Sequence, residues 1–343
     1  MIPIIEFNGL RYRTDRMGLN NTTIEVEKDI PETIVKFYSN SENSLNAFMN
    51  DKLYLTHDSQ FNDAFEASEH FFDFTLLEKE EYDRFYKEFL PPENYYPYEV
   101  DKNNNFSMFR MLCKYYFAWI GSVSFTTINN IFNSLMWSHY STDKGFAIEL
   151  GREELLNSID NNEFGKWFFP INYVNDLRVI NPIDASLGGM HGALLYLIST
   201  KSRDWKYEDE WRLTCYPKEV RFLVPETLLT PEMEGMERFL KYPRKCVKRV
   251  VLGHFFFNTK NIDCETYRSS NNHLRFKILK DSVSKDFINF IFENYNDILF
   301  MNDPYRHENN IVRAMESIKL EKESDCEFVI RPLGGVFADG TDS

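Results

Sequence analysis

The chain has 343 residues, 43% hydrophobic and 27% charged, with 31 Phe and 19 Tyr against only 14 Gly. That composition excludes a disordered chain and suits one large domain or two smaller ones around an aromatic-rich core. A net charge of −14 disfavours nucleic-acid binding through the whole surface, because phosphates need clustered Lys and Arg to displace their counterions.

In chain order, residues 1–30 are polar and irregular, with one short strand predicted at 2–7, and form an N-terminal extension. Residues 34–38 (IVKFY) predict a strand and Ser39 a helix N-cap. Leu45, Phe48 and Met49 at helical spacing predict a helix over 43–50, and a second strand follows at 52–56 (KLYLT). Residues 70–105 are acidic and aromatic and are read as an insertion or lid. Its front half is helical, and Pro91, Pro92 and Pro97 exclude helix from its end. A buried helix is expected at 107–120, and strands at 123–125 and 145–150. Next come a helix at 190–200, strands at 211–216, 248–252 and 274–279, and an amphipathic helix at 284–300. Residues 301–343 are expected to be a polar tail. The fold class is therefore α+β: a mixed or antiparallel central sheet of short strands flanked by helices, in a single domain over 31–300.

Cys113, Cys215, Cys246, Cys264 and Cys326 are far apart and form no CxxC pair. Neither a zinc ribbon nor a disulfide framework is indicated, and no metal is expected. No basic-then-apolar leader is present. The longest apolar stretch, 115–125, is broken by Gly121 and Ser122 and is too short for a bilayer. A cytoplasmic protein without membrane contact is expected. The basic run 241–249 (KYPRKCVKR) is read as a solvated loop ahead of a strand. Walker, GxSxG, HExxH and GxGxxG motifs are absent.

Three segments carry chemistry. Residues 57–66 (HDSQFNDAFE) place Asn62, Asp63 and Glu66 just after a strand, as turn formers or as groups facing a ligand. Residues 135–150 (LMWSHYSTDKGFAIEL) bring Trp137, His139 and Tyr140 together and open a strand at Lys144; a ring beside a histidine can hold a flat ligand or pack in a core. Residues 201–212 (KSRDWKYEDEWR) combine Lys201, Trp205, Glu208, Glu210 and Arg212. If 207–215 is extended, Glu208, Glu210 and Arg212 share one face, at a cleft or in solvent, with Tyr207, Trp211 and Leu213 on the other. The two carboxylates are then about 7 Å apart, and the nearby cations keep them ionised.

In this order, FNDAFE, LMWSHYSTDKGFAIEL and K-x-x-x-W-x-Y-E-x-E-W-R resemble the bacterial domain-of-unknown-function family numbered 2971, over roughly residues 34–279. Ala64 stands where the family usually has proline, and Thr142, Asp143 and Lys144 stand where a second histidine is usual. The resemblance implies a toxin-like or effector role in phage defence or abortive infection. A partner from the same locus would neutralise or activate the chain.

A weaker resemblance, carried by IVKFYS, the helix after it, KLYLT and the late Glu-x-Glu, is to the ADP-ribosyltransferase layout, with Tyr38 where a histidine or arginine is more usual. It implies NAD as substrate, with ADP-ribose passed to a protein or nucleic-acid acceptor, or to water. Glu210 or Glu208 would stabilise the positive charge developing on the sugar. Tyr140 or Trp137 would stack on nicotinamide, His139 would bond ribose or phosphate, and Lys201 and Arg212 would neutralise the pyrophosphate. Two readings of other classes stand beside it. One is a non-catalytic ligand sensor or protein-interaction module. The other is a metal-dependent nuclease using Asp63, Glu66, Glu208 and Glu210.

Overall fold

The computed structural model describes residues 4–7, 10–13, 23–57, 61, 63, 68–118, 120–159, 164–184, 189–217, 238–258, 260, 262–265, 274–279, 281–307 and 310–338. Three antiparallel strands come first, β1 (Ile4–Phe7), β2 (Leu10–Arg13) and β3 (Thr23–Val26). The expected strand–helix–strand unit follows as β4 (Thr33–Tyr38), α1 (Glu42–Met49) and β5 (Lys52–Tyr54). The cap of α1 is Ser41, whose side chain accepts from the Ser44 amide, and not Ser39, which bonds the Ser41 hydroxyl instead.

Two helices lie within 70–105, α2 (Lys79–Phe89) and α3 (Tyr98–Asn103). The second overturns the expectation that prolines keep helix out of that end. Pro97 is the N-cap of α3 at φ −63°, and there a proline costs nothing because no intrahelical amide bond is due. The chain continues through α4 (Ser107–Ala118), β6 (Gly121–Phe125), α5 (Ser134–Ser141), β7 (Phe146–Gly151) and α6 (Arg152–Ser158). Then come β8 (Phe164–Pro170), β9 (Asn172–Val174), α7 (Met190–Ser199), β10 (Thr200–Ser202), β11 (Trp211–Pro217) and β12 (Phe239–Lys241).

The last stretch holds β13 (Val247–Leu252), β14 (Ile262–Glu265), β15 (Leu274–Ile278), α8 (Val283–Asn294), β16 (Leu299–His307), β17 (Asn310–Lys322) and β18 (Glu327–Ala338). Two expectations fail here. Helix α8 stops at Asn294, six residues before the predicted end. The Asn296 side chain exchanges two hydrogen bonds with the Leu320 backbone, at 2.9 and 2.7 Å, and draws the chain toward β17. Residues 301–338 are no tail, since they make three strands. Buried Ile318 and Leu320 flank exposed Lys319, and buried Phe328 and Ile330 recur at the same two-residue period.

The main sheet has eight strands in the order β14-β15-β18-β17-β16-β13-β7-β4, with β13 parallel to β16 and every other neighbour antiparallel. A second sheet, β6-β11-β8, is antiparallel. The class is α+β with a mixed sheet, as expected. One core joins the two sheets to α1 and α8, through residues such as Ile34, Phe48, Phe146, Trp211, Leu213 and Phe287. Another packs α2, α3, α4 and α7 on the far side of β8 and β11. The 70–105 segment supplies much of that second core. Strand β11 is thus covered on both faces.

Candidate functional site

Residues 203–208 are not extended. They form a 3₁₀ turn (Arg203–Glu208), and Asp209 at φ 43°, ψ 48° reverses the chain into β11. Few side chains tolerate that left-handed conformation, and Asp is among them. Its carboxylate is held by Thr127 Oγ1 at 3.0 Å and Lys28 Nζ at 2.5 Å. Two donors fix the preceding carbonyl: Thr126 Oγ1 and Asn130 Nδ2 both bond the Glu208 oxygen, and Asn130 reaches the Tyr207 oxygen as well.

Simple strand alternation therefore fails for Glu208, yet Glu208, Glu210 and Arg212 do converge. They point neither into a cleft nor into solvent: each is buried, at 1–2% exposure, in the layer between β11 and the end of α7. Lys201 sits on β10, beside Tyr173 in the parallel β9–β10 pairing. Its ammonium lies 3.0 Å from Glu208 Oε2 and 2.7 Å from Glu210 Oε2. Both oxygens touch one nitrogen, so the two carboxylates are near neighbours. Arg212 grips Glu210 Oε1 through Nε at 3.0 Å and Nη2 at 2.6 Å, and spends Nη1 on the Ile198 carbonyl at 2.7 Å. Tyr140 donates to the other oxygen of Glu208, and the Glu210 amide donates to Tyr173 Oη at 2.9 Å.

Four charges in a dry layer are tolerable only because each is paired. The pairing divides the acids. Burial works against ionisation of Glu210, but the Arg212 and Lys201 charges overrule it and hold the carboxyl below the usual range. Glu208 moves up: burial dominates, Lys201 and the Tyr140 hydrogen bond pull back, and the Glu210 charge pushes further. Two carboxyls with opposed shifts in one site are the arrangement that separates a fixed anion from a proton acceptor.

Two cavities flank this cluster. One, of about 530 Å³, is lined by Asp63, His139, Asp204, Trp205 and Tyr207, together with Leu177 and Ser202. His139 Nδ1 and Tyr207 Oη are 2.9 Å apart, and the His139, Trp205 and Tyr207 rings lie within 6.1 Å of each other. The other, of about 860 Å³, lies between β4, α1, β5 and β12 and includes Lys36 and Tyr38. Burial lowers the Lys36 ammonium to about 8 against the opposing pull of the Glu210 charge, so this cavity borders the same electrostatic network.

The expected residues are thus sorted. Lys201, Glu208, Glu210, Arg212 and Tyr140 form one cluster, with Asp63, His139 and Trp205 at the cavity beside it. Tyr38 belongs to the second cavity. Trp137 is fully buried, edge-on to Phe37, with its indole N–H on the Ile131 carbonyl, and offers no face to a ligand. Lys144 is exposed in the turn after α5. Asn62 and Glu66 lie outside the described residues. Among the described residues no group of three or more His, Cys, Asp or Glu is placed to hold a metal, and no helix is long and apolar enough to cross a membrane.

Sequence reasoning missed Lys36, Asn130 and Tyr173. For Lys36 a signal existed, since it shares the face of β4 that carries buried Ile34 and Tyr38, where an unpaired lysine is out of place. Asn130 and Tyr173 carried none.

The segment that bears most of this geometry is the part of the chain that matches a family. Residues 136–213 match DUF2971, a protein of unknown function. That supports the family resemblance carried by the second and third motifs, while FNDAFE lies outside the matched segment. No curated protein and no solved structure matches the chain.

Proposed function

We propose that this chain is an enzyme that cleaves the nicotinamide–ribose bond of NAD and passes ADP-ribose to an acceptor or to water, as a defence- or toxin-type effector in the cytoplasm. The observation that carries this reading is the divided carboxylate pair on Lys201. Glu210, held ionised in a low-dielectric layer, stabilises positive charge on the ribose as the C–N bond breaks. The bonding electrons leave with the ring nitrogen of nicotinamide, which departs neutral. Glu208, with its raised affinity for a proton, takes the proton of the attacking hydroxyl. Tyr140 and Lys201 orient it. The separate, weaker sequence resemblance suggests an ADP-ribosyltransferase-like layout, and the resemblance to the family of unknown function a restraining or activating partner from the same locus.

The test is to incubate purified protein with NAD, with and without EDTA, and to follow nicotinamide release. The expected result is release that EDTA does not inhibit and that falls at least about 100-fold in Glu208→Gln. Full activity in that variant, with an unchanged fold, would remove the mechanism. A second reading is favoured by the near-complete burial of the four charges: a ligand sensor in which the cluster only braces the site. It predicts NAD binding without turnover.

A further inference from the structure

The larger cavity holds an amine that the proposed reaction does not use. Lys36 lies on the β4 face that also carries buried Ile34 and Tyr38, so the side chain is drawn inward and lines the cavity instead of the outer surface. Among the described residues no hydrogen bond or ion pair holds its ammonium, which stands 5.4 Å from the Tyr38 ring centroid; the Glu210 charge acts on it without an ion pair. A lysine that merely snorkels carries its head to bulk water and keeps its ordinary affinity for a proton. Here burial outweighs the Glu210 charge and lowers the group to about 8. Near neutrality, a much larger share is therefore neutral amine than in an exposed lysine, and only the neutral amine has the lone pair that attacks carbon.

The rest of the lining indicates what that amine meets. Asn43, Asn46 and Asn50 line one side from a single stripe of α1, and Thr56 adds a hydroxyl. The Tyr54 and Phe239 rings, 5.3 Å apart at 60°, line it as well. Groups that give and take hydrogen bonds beside aromatic faces suit a short carbon chain bearing several hydroxyls, and a volume of about 860 Å³ holds one with room to spare.

We propose that Lys36 is a nucleophilic amine that forms an imine with a small polyhydroxylated aldehyde bound in this cavity. The Nζ lone pair forms a bond to the carbonyl carbon, and the C=O π pair moves to oxygen, which takes a proton from the new ammonium. The resulting carbinolamine loses that hydroxyl together with the remaining hydrogen on nitrogen, as water, and C=N is left. Protonated, the imine carries the positive charge that the ammonium had, and Glu210 acts on it in the same sense. The step needs no further reactant, and no part of the NAD reading.

Reductive trapping on the full chain tests it: D-glyceraldehyde with cyanoborohydride, then peptide mass mapping, with Lys52 of the same cavity as internal reference. Lys36 should be trapped at least tenfold faster than Lys52, saturably in aldehyde, with a half-maximal rate near pH 8. Propanal, which lacks the hydroxyls, should trap it without saturation. Ala47→Phe puts a ring into the cavity wall and should slow trapping by glyceraldehyde at least tenfold. The wild-type measurements need no variant, so a substitution that disturbs folding leaves them decisive. Trapping at Lys36 no faster than at Lys52, or a rate still climbing through pH 10 as for an exposed lysine, overturns the proposal. So does trapping by glyceraldehyde and propanal that is alike and unsaturable.

Discussion

The phenol of Tyr140 donates its proton to a carboxylate oxygen of Glu208, tying the last turn of α5 to the 3₁₀ turn that feeds β11. This hydrogen bond favours the ionised carboxylate. In Tyr140→Phe the Glu208 carboxyl therefore rises further, and the acidic limb of NAD turnover moves to higher pH. Stability should fall by about 1–2 kcal/mol. A pH–rate profile that superimposes on the wild type excludes Glu208 as the proton acceptor.

The two acids contribute to stability with opposite signs. Glu210 is depressed in the folded chain, so its contribution is in place above its ordinary value of 4.5 and is lost as pH falls through the folded value. Glu208 is raised, so its contribution is in place below 4.5 and disappears as pH climbs through the folded value. Glu210→Gln leaves Arg212 and Lys201 short of a counter-charge and should cost about 3–5 kcal/mol near neutrality. Its loss of stability on acidification should be shallower than that of the wild type. Urea unfolding across the acidic range reads both effects, and an equal acid slope in the two proteins rejects the assignment.

Asn130 is a clamp rather than a ligand-facing group. Its amide nitrogen bonds Thr126 Oγ1 at 2.6 Å, the Glu208 oxygen at 2.6 Å and the Tyr207 oxygen at 3.1 Å. Asn130→Ala should destabilise by about 0.5–1.5 kcal/mol, because the Glu208 and Tyr207 carbonyls each lose one donor but keep Thr126 and Asn133. It should also lower kcat more than it raises KM, since it loosens the turn that aims Glu208. Wild-type kinetics in the variant contradict that role.

Gly145 precedes β7 where no side chain fits. A Cβ there would lie 1.9 Å from the Tyr38 carbonyl oxygen and 2.8 Å from Ser141 Cβ. Backbone cannot yield as a flexible side chain can, so Gly145→Ala should cost at least about 3 kcal/mol. The β4–β7 pairing would be the casualty. A melting temperature within a degree or two of the wild type contradicts this.

The elements that were legible in the sequence are those whose burial follows one period. In IVKFY, GFAIEL and MHGALLYLIST the apolar pattern alone marks the element, and each appears where expected. KYEDEWR misled because local turn geometry at Asp209 overrides alternation, and a single left-handed residue is invisible to a periodicity argument. The C-terminal strands were missed because ESIKLEK alternates on one face only and reads as polar. The charge cluster was legible because cations, acids and aromatics crowd residues 201–212. What could not be seen was the burial of those charges, which depends on α7 and the 70–105 segment closing over β11 from distant parts of the chain.

Strand β4 pairs with β7, so Tyr38 lies opposite Phe146, and β13 pairs with β16 across the whole β14–α8 excursion. Contacts so far apart in sequence make for slow folding, because loop closure precedes any gain from pairing. Lys36 and Tyr38 reach their places only when β4 docks on β7. Lys201 and Glu208 reach theirs only when β10 finds β9. A chain in which neither pairing has formed therefore lacks both the larger cavity and the charge cluster, so the site depends on the completed sheets.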